Sequence, residues 1–351
     1  MVQEQTDIHT VQDLTGDDIM ASNTKRRVIT TQTVKEKQDE KALKTGNLLR
    51  PASFSTYIGQ SKVKEQVSVS VRSAMIRKRP APHMLFYGPP GLGKTTLAHI
   101  VAEEENVPLK EIAGPSIEKP GDIAAILMSL KQNEVLFIDE IHRMPSMCEE
   151  VLYSAMEDDY INITVGTGEQ QKVVHLPLPA FTLIGATTRA GMISAPLRDR
   201  FALKCRMEYY TPDELSEIIK NSAEKIDTRI TDSEALMIAE ASRGTPRIAN
   251  SLLERVRDYA TVKTQGDITE QTVKAALEFA GIDKDGLSEM DRRMIKILKD
   301  QDKPVGLQTL ADMLGEDAKT IEDVYEPFLL KNGYIEKTPR GRTIGSAVKS
   351  A

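Results

Sequence analysis

The chain has 351 residues, of which 40% are apolar and 28% charged, and a formal net charge of −6. That length predicts two or three domains, and the composition is that of a soluble globular protein. The charge excludes a protein basic throughout but leaves room for a local basic patch. No apolar run approaches the ~18 residues of a membrane span, and the opening MVQEQTDIHTVQDL lacks the apolar segment of a secretory signal. Two isolated cysteines, Cys148 and Cys205, predict reduced thiols in a cytoplasmic protein. Ligands for a zinc site are lacking.

Residues 1–46 hold no aromatic and no proline and are rich in Gln, Thr, Lys, Asp and Glu. Such a segment buries little apolar surface and is expected to be a flexible tail. From 47 to 210 short apolar runs alternate with helical patterns. HMLFYG (83–88), EVLFID (134–139) and FTLIGATT (181–188) read as strands, and KTTLAHIVAEEE (94–105) as a helix. Continuous apolar strands separated by helices predict an α/β domain with a parallel sheet flanked by helices. Between the second and third strands, INITV, GTGEQQ and KVVHL read as a β-hairpin at about 160–178.

Residues 211–283 read as a small helical domain. Its first helix, TPDELSEIIKNSAEK, carries a Thr cap, a proline at the first helical position and a glutamate three residues after the cap. Residues 284–351 hold three short helical patterns, then YIEKTPRGRTIG, two strands about a Pro-Arg-Gly turn. Helix, helix and wing predict a winged-helix domain.

GPPGLGKTT fits G-x-x-x-x-G-K-[ST] through Gly88, Gly93, Lys94 and Thr95, after a strand and before a helix. Glycines there let backbone N–H groups curl about phosphates, and the helix start adds partial positive charge. Lys94 can reach the β- and γ-phosphates, and the Thr95 hydroxyl can hold Mg²⁺. In VLFIDEIHRM, Asp139 lies at a strand end where it can serve the metal shell, and Glu140 is placed to polarise water. His142 reads as a surface or packing residue. LIGATTR ends a third strand at Thr187 and Thr188, whose hydroxyls could sense a γ-phosphate. In SAPLRDRF, Arg200 is the candidate for completing a neighbouring subunit's site, with Arg198 as alternate or interface brace; taken alone, either arginine reads as a surface ion pair. GTPR opens a later helix and puts Arg247 on its first turn, from which it could reach the phosphates.

In this order, GPPGLGKTT, FIDEIHR, GATTR, PLRDRF and GTPR resemble the AAA+ ATPases. The wording of LRPASFSTYIGQ, FTLIGATTRAG, SRGTPRIAN and DVYEPFLLKNGYIEKTPRGR is similar to the RuvB family, motors of Holliday-junction branch migration, from about Leu49 to Thr343. The resemblance implies an ATP hydrolase using ATP and Mg²⁺, acting as a homohexameric ring on double-stranded DNA and Holliday junctions. It implies docking of a RuvA-like junction-binding protein on the hairpin and leaves room for a RuvC-like resolvase. It implies that Leu49, Arg50 and Tyr210 lie on the adenine and ribose side. Gly91, Gly93, Lys94, Thr95 and Thr96 would cradle phosphates. Glu157, Asp158 and Asp159 would lie near nucleotide, although an extra acid, Asp159, displaces the family's aromatic there. Thr188 matches the first sensor, Arg200 the trans-acting arginine and Arg247 the second sensor. Ala202 stands where the family usually has glycine, and Ala318 where members often have arginine.

Residues 286–351 carry 11 basic and 11 acidic side chains, so net charge there decides nothing. From Lys331 onward there are five basic residues and one acid, which favours salt-sensitive, sequence-neutral phosphate contacts. The family match points to Lys337 and Arg342, with Arg340 close by. Two other readings stand beside the motor: a clamp-loader-like switch, for which the winged helix and TPRGR are unsuited, and a transcription regulator reading sequence through its winged helix.

Overall fold

The computed structural model describes residues 49–165 and 172–349 and divides into two units, Met1–Arg50 and Pro51–Ala351. The expected tail of 1–46 and the hairpin turn at 166–171 lie outside the described residues. Of the first unit only Leu49 and Arg50 are described.

The centre of the second unit is a five-stranded sheet with the strand order β2-β3-β6-β1-β7 and every pairing parallel. Its strands are β1 (Met84–Tyr87), β2 (Leu109–Ala113), β3 (Val135–Asp139), β6 (Thr182–Thr187) and β7 (Leu203–Arg206). The three read from sequence are the central ones, where both faces are covered; β6 is buried at every residue. The two edge strands, LKEIA and LKCR, mix charge with apolar residues because they are half exposed, and their periodicity alone does not separate them from loop.

Helices α1 (Ser61–Arg77), α2 (Lys94–Glu105), α3 (Pro120–Met128), α4 (Ser146–Asp158) and α5 (Ala195–Arg200) accompany the sheet. Two apolar clusters form around it. One, with Leu136, Ile138, Leu152, Leu183, Leu197 and Phe201, belongs to the sheet domain alone. The other, with Phe86, Leu97, Val101 and Phe137, runs on without a break into Leu215, Ile238, Leu253 and Val273 of the helical domain. The hairpin is present: β4 (Tyr160–Val165) pairs antiparallel with β5 (Lys172–Pro177), and Ile161 at its base is fully buried.

The helical domain holds α6 (Pro212–Lys225), α7 (Asp232–Glu240), α8 (Pro246–Lys263) and α9 (Glu270–Phe279). The expected cap of α6 forms as a capping box, with Thr211 and Glu214 each taking the other's backbone N–H. The C-terminal part holds α10 (Glu289–Lys299), α11 (Leu307–Leu314), a continuous helical stretch from Ala318 that ends in α12 (Glu326–Lys331), and the antiparallel strands β8 (Ile335–Thr338) and β9 (Gly341–Ile344). Its own core is built on Met294, Leu298, Leu310, Ile321 and Leu329.

Candidate active site

Parallel strands deliver their C-terminal ends to one edge of a sheet, and that edge is where such folds bind ligands. Here β3, β6 and β1 are neighbours in that order, so Asp139, Thr187 and the loop after Tyr87 are brought side by side. The loop returns to the sheet at once, with Gly88 N–H donating to the Thr187 carbonyl at 3.2 Å. Lys94, the first residue of α2, is buried to 8% exposure and donates to the carbonyls of Gly88 (2.9 Å) and Pro89 (2.7 Å). Burial lowers its pKa to about 8, against the pull of Asp139; Arg247 pushes the same way as burial, and Glu140 opposes it. Three of the predicted residues therefore share one electrostatic neighbourhood with the lysine.

Asp139 Oδ1 accepts the backbone N–H of Glu140 at 2.9 Å. Glu140 itself sits at φ 48 and its carboxylate holds Arg143 at 2.9 Å. On the next strand the two threonines divide their work. Thr187 is buried, and its hydroxyl meets His142 Nδ1 at 2.9 Å and accepts the Arg189 N–H at 2.9 Å. Thr188 is exposed at the strand end. His142, read from sequence as a surface or packing residue, thus fixes the neighbour of the predicted sensor. Burial, its largest influence, lowers its pKa and favours the neutral ring.

The helical domain closes the other side of the loop. Arg247 N–H donates to the Gly91 carbonyl at 3.4 Å. Gly91 has φ 76, and a Cβ there would lie 2.7 Å from Thr245 Cγ2 and 3.1 Å from Arg247 Cβ, so only glycine allows this approach. Tyr210 is buried and donates to the Tyr57 hydroxyl (3.1 Å) and the Leu92 carbonyl (3.3 Å). Burial raises the pKa of both phenols, that of Tyr210 to about 12. Tyr57 was not singled out by sequence reasoning, although it stands in the STYIGQ stretch; only its partnership with Tyr210, 153 residues away, reveals it. Leu49 and Arg50 belong to the other unit.

Arg200 is engaged elsewhere. Its guanidinium pairs with Glu157 (2.9 Å), donates to the Pro196 carbonyl (2.9 Å) and lies 4.6 Å from the centre of the Tyr153 ring. Glu157 is thereby brought to Arg200. Asp158 and Asp159 are exposed at the end of the same helix, and Asp159 takes φ 52 to turn the chain into β4. Ala202 is not among the residues with positive φ, so the turn after Phe201 has no need of glycine.

Residues 49–207 match the family described as the Holliday junction DNA helicase RuvB P-loop domain, residues 210–283 the RuvB AAA lid domain, and residues 284–349 the RuvB C-terminal winged helix domain. The chain belongs to the RuvB family. It is 52% identical over 296 residues to the Holliday junction branch migration complex subunit RuvB of Staphylococcus saprophyticus, covering 84% of this chain and 89% of that protein. The Campylobacter hominis subunit of the same description is 53% identical over 297 residues, covering 84% and 87%. Among solved structures, the Thermotoga maritima RuvB Holliday junction branch migration motor superposes with a TM-score of 0.76 at 44% identity, covering 86% of this chain and 97% of that one. The RuvB fold is thus an AAA+ P-loop domain with lid and winged helix, and the chain is a nucleotide-binding ATP hydrolase.

The β8–β9 pair forms as expected, with Lys337 opposite Arg342. Arg342 is nonetheless buried to 7% exposure, and both its Nε (2.5 Å) and Nη2 (3.2 Å) donate to Glu326. Its backbone also bridges Val305 in both directions (2.8 and 2.7 Å). Arg342 is thus paired with Glu326 at the base of the wing. Lys337 is half exposed and pairs with Glu322 at 3.1 Å, and Arg340 is exposed at the turn.

No group of three or more His, Cys, Asp or Glu among the described residues could hold a metal by itself. Thr95 and Asp139 are the hard oxygen donors that would hold Mg²⁺, which would supply charge neutralisation to bound phosphates.

Proposed function

We propose that this RuvB-family chain is the ATP-driven DNA motor of a branch-migration complex, working as a homohexameric ring on double-stranded DNA in the cytoplasm. The carrying observation is a division of the site. The charges that act on Lys94 are those of Asp139, Arg247 and Glu140, whereas Arg200 has its partners on α4 and α5. A pocket with its own lysine, acid pair and lid arginine, and a further arginine displayed apart from them, is what two adjoining copies need to build one site between them.

In this reading Gly91, Gly93, Lys94, Thr95 and Thr96 cradle the phosphates, and Tyr210 serves the base and ribose side. Thr95 and Asp139 would hold Mg²⁺, which when bound neutralises phosphate charge. Glu140 leaves Arg143 to orient the attacking water, Thr188 and Arg247 read the γ-phosphate, and Arg200 reaches the neighbour's transition state. Arg198, half exposed on α5, braces the same seam. Glu157, with Asp158 and Asp159 beside it, holds Arg200 at that edge. The domain bounds proposed are 47–210 for the ATPase domain, 211–283 for the lid and 284–351 for the winged helix. Lys337 and Arg342, with Arg340 close by, ride the DNA backbone without reading sequence, the hairpin docks a RuvA-like junction binder, and the complex leaves room for a RuvC-like resolvase.

The test is branch migration of a synthetic four-way junction with ATP and Mg²⁺, with and without a junction-binding partner protein. ATP-dependent strand exchange stimulated by the partner is expected. ATP hydrolysis with no movement of the junction under either condition would overturn the motor reading, and footprinting on one preferred operator would favour a regulator.

A further inference from the structure

Four residues before Arg247 stands a second arginine that faces the other way. Arg243 (φ 54) and Gly244 (φ 72) both adopt the left-handed region, so the chain reverses between α7 and α8. After the reversal Gly244 accepts the Tyr210 N–H at 3.0 Å, and Thr245 and Arg247 press on Gly91. Before it, the Arg243 side chain runs into the C-terminal module. Its Nε donates to the Gly286 carbonyl at 2.7 Å, its Nη2 pairs with Asp291, and its guanidinium lies 4.6 Å from the centre of the Phe328 ring.

These partners are three separate pieces of that module. Gly286 is in its entry turn. Asp291 is fully buried and caps α10, accepting from Ser288 N (2.7 Å) and Ser288 Oγ (2.5 Å). Phe328 belongs to α12 and to the module's core. Lys331, three residues on, sits 3.8 Å over the Tyr209 ring, next to Gly244. Another ion pair, Arg189 with Asp323, ties the sheet domain to the same module, but both of its side chains are over a third exposed, and such pairs slacken at little cost. The Arg243 clamp cannot: one nitrogen on a buried carboxylate, another on the Gly286 carbonyl and a stack on a ring fix the guanidinium in place, and letting go leaves Asp291 charged in the interior. Movement of the module therefore carries Arg243, and through two residues it carries the Thr245 and Arg247 contacts with the phosphate loop.

We propose that Arg243 is a positioning residue that ties the seating of the winged helix on DNA to the placement of Arg247 at the nucleotide. This rests on the reading of Arg247 as a nucleotide contact. Coupling between two sites is reciprocal and typically changes affinity about 5- to 150-fold. The test is calorimetric titration of the full chain with ATPγS and Mg²⁺, with and without a saturating mixed-sequence duplex, for the natural protein, Arg243→Lys, Phe328→Leu and Arg247→Ala. The natural protein should show a ratio of the two dissociation constants of at least about 5. Arg243→Lys keeps the charge but loses the paired hydrogen bonds and the stack, and should bring the ratio to about 1. Phe328→Leu should give an intermediate ratio, and it carries the test alone if the lysine variant does not fold. A natural ratio near 1, or a variant ratio equal to the natural one, overturns the proposal. Arg247→Ala binding ATPγS as tightly as the natural protein would instead overturn the underlying reading of that residue.

Discussion

Lys94 and Arg342 are both cations that sequence reasoning assigned to phosphate, and both are buried, at 8% and 7% exposure. They differ in company. Arg342 has a carboxylate, Glu326, on two of its nitrogens, and its charge is answered inside the protein. Lys94 hydrogen-bonds two neutral carbonyls and has no ion-pair partner among the described residues, so burial drives its pKa down to about 8. Keeping an unanswered cation in a buried loop destabilises the free protein and is relieved by a ligand that brings negative charge. Burial alone therefore does not sort the two cations: Arg342 has its carboxylate in place, whereas Lys94 has none among the described residues.

That contrast can be broken or sharpened by substitution. The largest effect is expected at the seam: Arg200→Ala should lower ATP turnover on the order of 10³-fold with nucleotide binding retained, read as kcat against Kd. Next, Lys94→Ala should lower turnover by roughly 10²-fold or more and weaken nucleotide binding as well. By contrast Arg342→Ala should act on folding, losing about 3 kcal/mol in denaturant unfolding because Glu326 stays charged and buried. If Arg342→Ala left stability intact and reduced only DNA affinity, that account of the pair would fail.

The pH dependence separates the two cations again. Phosphate beside Lys94 raises its pKa above the value near 8 of the free protein, so nucleotide affinity is complete below pH 8 and falls as pH rises through it. Titration of affinity from pH 7 to 9.5 should show this fall, and Lys94→Met should flatten it. The smallest effect is expected at the wing tip, where Arg340→Ala should reduce the salt slope of DNA binding by about 1 and leave stability unchanged.

Much of this was legible in the sequence where chemistry is local. The phosphate loop, the acidic strand end, the cap of α6 and the order of helices and wing strands all depend on residues within a few positions of each other. What escaped depends on distance along the chain. β2 and β7 are edges whose mixed composition hides their pairing. Tyr57 gains its place only from Tyr210, and His142 only from Thr187. The pairing of Arg342 with Glu326, 16 residues earlier, likewise gives no local sign in the sequence.

The central claim is that each ATP is hydrolysed in a pocket built by two copies of the chain. Its most direct test is to mix Lys94→Ala protein with Arg200→Ala protein at a series of ratios and measure ATP turnover. Either variant alone should be nearly inactive, and mixtures should regain turnover with a maximum between the extremes, because some seams then join an intact loop to an intact arginine. Turnover that stays at the level of the separate variants at every ratio would contradict the shared pocket.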